Sequence, residues 1–320
     1  MKLSIVSGLG GPRAEQGPSP LTWVARLLAA GVATAVLAAP AFPPWFLMLR
    51  PGPESAYVML AAVGLLTGFM SGLLGIGGAL VAVPALHLLL PMLGIGADHV
   101  SQAAVASSLA AIVPMALTAA WAQHRRGGLD ARWLTRLAPG VALGASAGAF
   151  AALLVNGAVL ALLFAGQSLY YGWQLLRAPT PLTARSPVRD LAHMACRWPA
   201  WAVGPLAAGV SACAGMGASS LLVPYLHAQG VALGVASATS GALNLGVAAG
   251  GVLVFVVSST VAHTVGPCWP AVFMLSACAV LAVPAGVALA HRLSPGTFRR
   301  LLGATNVLGA VALLVRTASG

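Results

Sequence analysis

The chain has 320 residues, of which 59% are hydrophobic and only 7% charged. Soluble domains carry roughly 25% charged residues, so a water-soluble globular fold is excluded. The long apolar runs indicate membrane helices rather than the short alternating strands of a barrel. The formal net charge of +11 arises from 16 basic and five acidic residues; the basic ones occupy short gaps between apolar runs, so membrane orientation accounts for them and nucleic acid is not expected as a partner.

Residues 1–20 form a polar, Gly/Pro-rich leader. The apolar run from Leu21 to about Ala39 is closed by Pro40, which favours an extra uncleaved transmembrane helix within 21–50 over a signal peptide. Apolar segments follow at 57–74, 79–93, 102–122, 134–155 and 157–176, together a first unit spanning 51–176. The stretch 177–198, with Arg177, Arg185, Arg189 and Arg197, is a basic linker expected in the cytoplasm. A second unit, 199–320, carries segments at 199–213, 218–229, 233–258, 267–290 and 298–315. The expected fold is an all-α polytopic membrane protein.

The two units are copies. Residues 64–87 and 204–227 align without a gap, 140 positions apart, pairing Gly64, Ser71, Gly75, Gly77, Val83, Pro84 and His87 with Gly204, Ser211, Gly215, Gly217, Val223, Pro224 and His227. Downstream, residues 104–108 (AVASS) recur as 236–240 (ASATS), and Ala147-Gly148 recurs as Ala285-Gly286. Equivalent loops exchange their charge. The loop with Arg125, Arg126, Arg132 and Arg136 is basic, whereas its counterpart at 259–266 has no Lys or Arg; the uncharged loop at Asn156-Gly157 corresponds to one holding Arg292, Arg299 and Arg300. If basic loops face the cytoplasm, the halves are inverted-topology repeats.

Each opening segment is an apolar run broken first by glycines and then by proline. Hydrocarbon cannot satisfy the backbone groups such a break exposes, so the break must line protein or a watery cavity. Paired interruptions in two halves point to a transporter's binding site. The segment after each break presents uncapped N–H groups and a positive dipole end, and glycine allows close approach. Gly75, Gly77, Gly78, Gly215 and Gly217 are therefore candidate substrate-binding residues, with Ser219 and Ser220 adding hydroxyls in the second copy. Ser107 and Ser108 in one half, with Thr239 and Ser240 in the other, offer further donors, and Asn244 lies one turn beyond Ser240. His87 and His227 are candidate proton or anion relays.

Against these stand plainer roles: glycines for close helix packing, hydroxyls bonded within their own helix, histidines at helix ends. All five acids map to loops or helix ends, which argues against a proton or cation site made of buried carboxylates. The four cysteines (Cys196, Cys213, Cys268 and Cys278) include no CxxC pair, so neither disulfide framework, metal site nor cofactor is expected.

At Gly68 to Gly78 with Val83-Pro84, Ala104 to Leu109, Gly209 to Pro224 and Ala236 to Ser240, the chain resembles the sulfite exporter TauE/SafE family of membrane transporters. The resemblance covers roughly 57–317 and departs from the fully glycine pattern at Gly217-Ala218-Ser219. It implies a helical carrier of two related halves for sulfite, sulfonates or related sulfur-containing anions. The expectation is a multi-pass inner-membrane secondary transporter, an exporter rather than an enzyme, binding a small anion between its repeats; homo-oligomerisation stays open. Alternatives are an uptake permease for an organic anion, or a membrane assembly or sulfur-transfer factor using Cys213.

Overall fold

A computed structural model describes residues 53–75, 78–177, 199–262, 264–290, 292 and 295–319. The leader, the first apolar run, Gly77 and the linker from 178 to 198 lie outside the described residues. Ten α-helices are described: α1 (Pro53–Leu74), α2 (Ala79–Leu89), α3 (Val100–His124), α4 (Ala131–Leu154), α5 (Gly157–Arg177), α6 (Ala200–Cys213), α7 (Ser219–Ala228), α8 (Leu233–Val261), α9 (Trp269–Ala290) and α10 (Pro295–Ser319). No strand is present among the described residues. Five helices (α1, α3, α4, α8 and α9) are long and apolar enough to cross a membrane. Their outward faces carry exposed large hydrophobics such as Leu143, Leu154, Phe273 and Leu281, as lipid contact requires.

Both breaks are set by backbone conformation. Gly75 takes φ +68° and Gly215 φ +73°, a left-handed geometry in which a Cβ is strained, so helix propagation stops there. After α6 the chain closes a Schellman turn: Met216 N–H donates to the Ser211 carbonyl at 2.7 Å, and Gly215 N–H to the Ala212 carbonyl at 3.0 Å. Beyond each break the chain turns back. Gly78 lies against the Thr67 carbonyl, so α2 returns alongside α1, and the end of α2 packs with Leu60 near the start of α1.

Helix pairs are fixed by small residues. On α1, Gly64, Gly68 and Gly72 meet Leu275, Ala279 and Val283 of α9 in ascending order, so the two helices run parallel in close contact. On α4, Gly144 and Gly148 meet Pro205 and Gly209 of α6, again parallel. The third helices, α3 and α8, pack together, as do the last helices, α5 and α10. The first helix of each half thus packs on the fourth helix of the other half, and the packing scheme is unchanged when the halves are exchanged.

Two further bonds tie the halves. Asp130 N–H, at the start of α4, donates to Thr239 Oγ1 at 3.0 Å. Cys268 N–H, just before α9, donates to Ser107 Oγ at 2.9 Å. At the end where α3 finishes and α4 and α8 begin, arginines rest on tryptophan faces. Arg125 lies 4.7 Å from the Trp121 ring centre and Arg136 5.6 Å from that of Trp133. Arg177, at the end of α5, lies 3.5 Å from that of Trp173. Such pairs suit a membrane–water boundary, where the stems lie on apolar surface and the charged heads reach water.

Candidate functional site

The first turn of α7 is where the two broken segments meet. Ser219 Oγ donates to the Gly75 carbonyl at 2.8 Å. Asn244 Nδ2, from α8, reaches Ser219 Oγ at 2.9 Å and the Gly75 carbonyl at 3.3 Å. Gly217 sits directly beneath the Asn244 carboxamide, where a Cβ would come within 2.5 Å of its carbon. Close approach at this point therefore requires glycine. Gly241 of α8 also abuts the Gly75 carbonyl.

On the other side of the same turn, Gln167 Nε2 from α5 donates to Ser220 Oγ at 2.6 Å and to Ser211 Oγ at 2.7 Å. Below it, Ser108 Oγ donates to the Gly215 carbonyl at 2.7 Å. By exchange of halves Ser240 corresponds to Ser108, but its hydroxyl has no hydrogen-bond partner. Asn244 and Ser219 hold the Gly75 carbonyl in its place. The two breaks are therefore chemically unequal.

All of these groups are buried, Ser219, Ser240 and Asn244 completely. The buried polar side chains among the described residues are hydroxyls, carboxamides and His87; none is a carboxylate, lysine or arginine. The N-cap residues of α2 and α7 are Gly78 and Ala218, and neither supplies a side-chain cap. The first-turn N–H groups there are left to backbone or ligand.

Of the residues singled out in the sequence, Gly75, Gly217, Ser219 and Asn244 are contiguous, and Ser220 follows Ser219 in the same turn, bonded to Gln167; Ser240 is buried without a hydrogen-bond partner. Gly215 and Ser108 form a second contact, and Gly78 packs on α1. Ser107 and Thr239 sit apart, each accepting a backbone N–H at the start of a helix from the other half. His87 lies near the end of α2, with Nδ1 2.9 Å from the Val83 carbonyl and Nε2 3.3 Å from Ser101 Oγ. His227 likewise places Nδ1 3.0 Å from the Val231 carbonyl. Nine residues of helix, about 13 Å, separate His87 from the break. Gln167 was not singled out. Its signal was an amide in the middle of an apolar helix, a group costly to bury without a purpose.

A family model described as Sulfite exporter TauE/SafE matches residues 60–313. The chain belongs to the sulfite exporter TauE/SafE family. It is thus a multi-pass membrane transporter. A relative called "Probable membrane transporter protein" in Haemophilus influenzae (strain ATCC 51907 / DSM 11121 / KW20 / Rd) is 29% identical over 200 residues, 61% of this chain and 72% of that one. No solved structure matches the chain. The TauE/SafE match spans every element of the site, from α1 to α10, while Cys213 is a free thiol packed in the apolar core.

Proposed function

We propose that this chain is an inner-membrane exporter of sulfite or a closely related small sulfur oxyanion, bound where Gly75, Ser219 and Asn244 meet. The observation that carries the reading is this junction: one contact joins the break of the first half to the helix that follows the break of the second. Two uncapped helix starts and a set of neutral donors suit an anion without placing a fixed charge in lipid.

The reciprocal packing, the parallel pairs α1–α9 and α4–α6, and the arginine-bearing loops gathered at one end support an inverted repeat with its axis in the membrane plane. With basic loops inside, that end faces the cytoplasm. The buried junction corresponds to a closed state. When the halves part, the Ser219 hydroxyl and Asn244 amide leave the Gly75 carbonyl and become free to bind an oxyanion. The Gly75 contact is then a latch that re-forms once the substrate has left.

Flux of radiolabelled sulfite from proteoliposomes tests the reading. Sulfite leaving protein-containing vesicles at least tenfold faster than empty ones supports it; equal rates with protein correctly folded overturn it.

A further inference from the structure

Two carboxamides flank the first turn of α7, and both are half used. Asn244 gives its Nδ2 to Ser219 and Gly75, while its Oδ1 has no partner; Gln167 gives its Nε2 to Ser220 and Ser211, while its Oε1 has none. Asn244 is completely buried, and Gln167 is 8% exposed. One turn along α5 from Gln167, on the same face, the buried Tyr171 hydroxyl is also without a partner. A buried carbonyl oxygen left bare is costly, more so than the mean hydrogen bond is favourable. Such groups in a native site call for a complementary ligand.

Bare carbonyl oxygens accept; they cannot bind an oxyanion. They repel its oxygens unless the ligand brings a hydrogen of its own. The same turn also presents helix N–H groups and serine hydroxyls that donate. A ligand satisfying both sets must carry anionic oxygen on one side and an O–H or N–H on another. Since no cationic side chain is buried among the described residues, a second negative charge would go uncompensated.

Building on the proposed export of sulfur oxyanions, the geometry points to a substrate that is a donor-bearing monoanion, recognised by the carbonyl oxygens of Gln167 and Asn244. Sulfite would then move as hydrogensulfite and not as its dianion. Gln167 is the discriminating residue from the last helix of the first half.

The test compares initial flux into proteoliposomes of ethanesulfonate, which has no donor, with 2-hydroxyethanesulfonate, which has one. A parallel pH series uses labelled sulfite. The hydroxylated anion is expected to move at least about tenfold faster, because a site built to pair a donor rejects an analogue lacking it. Sulfite flux should track the hydrogensulfite fraction, falling about tenfold per pH unit above the acid's second pKa. In Gln167→Met and Asn244→Leu the preference between the two sulfonates should shrink severalfold. Equal flux of the two sulfonates in the native protein, or flux that rises with the dianion, overturns the inference while leaving the exporter reading intact. An unchanged preference in both variants overturns the assignment to these two residues. If no anion moves at all, the exporter reading itself fails.

Discussion

The hydroxyl of Ser219 lies 2.8 Å from the carbonyl oxygen of Gly75, a residue 144 positions earlier in the chain. With Asn244 bonded to both, this contact fastens the two halves at the depth of their broken helices. Ser219→Ala removes a donor from a buried carbonyl and an acceptor from a buried amide. Interhelical hydrogen bonds in membranes average under 1 kcal/mol, and Asn244 Nδ2 still reaches the Gly75 carbonyl at 3.3 Å, so neither partner is left bare and the loss is about 1 kcal/mol. Thermal unfolding in detergent should show a lower midpoint for Ser219→Ala. No shift would mean that the contact does not hold the halves.

Close helix approach makes a sharper, paired prediction. A Cβ at Gly148 would drive into the Gly209 carbonyl, whereas one at Gly166 meets nothing within 4 Å. Gly148→Ala should therefore abolish most monodisperse protein on size exclusion. Gly166→Ala should be tolerated or slightly stabilising, by up to about 1 kcal/mol from helix propensity. Equal yields from the two variants would contradict the parallel α4–α6 contact.

Ser107 and Thr239 are predicted to act on stability and not on substrate affinity. Each hydroxyl accepts the N–H at the start of a helix from the opposite half. Ser107→Ala and Thr239→Val should each cost about 1 kcal/mol in unfolding, with Thr239→Ser restoring most of it. Loss of anion binding with unchanged stability would instead return these hydroxyls to the substrate site.

The helical order was legible because each apolar run is bounded by charge, glycine or proline, and because the duplication marked both breaks. What the sequence could not disclose is which copy's groups meet across the interface. Spacing put Ser107 beside Ser108 and Thr239 beside Ser240, yet neighbours on a helix point about 100° apart. Ser108 therefore turns to the Gly215 carbonyl while Ser107 turns to the backbone before α9. Gln167 is illegible for the opposite reason: it belongs to no repeated motif, and only tertiary packing brings α5 against the first turn of α7.

The proposed orientation follows from the arginines. Gly128 adjoins Gln123 and Ala238 at the arginine-bearing end, and Thr264 follows the far end of α8. Alkaline phosphatase fused after Gly128 should be inactive, and fused after Thr264 active. Equal activity at both would remove the support for opposed halves.

The most direct measurement is calorimetric titration of sulfite into the purified native protein and into Asn244→Leu. The native protein should bind one anion per chain, and the variant should bind at least about tenfold more weakly, a loss near 1.4 kcal/mol. Identical isotherms from two equally stable proteins would show that the guest sits elsewhere, and the Gly75–Ser219–Asn244 junction would be a structural clasp only.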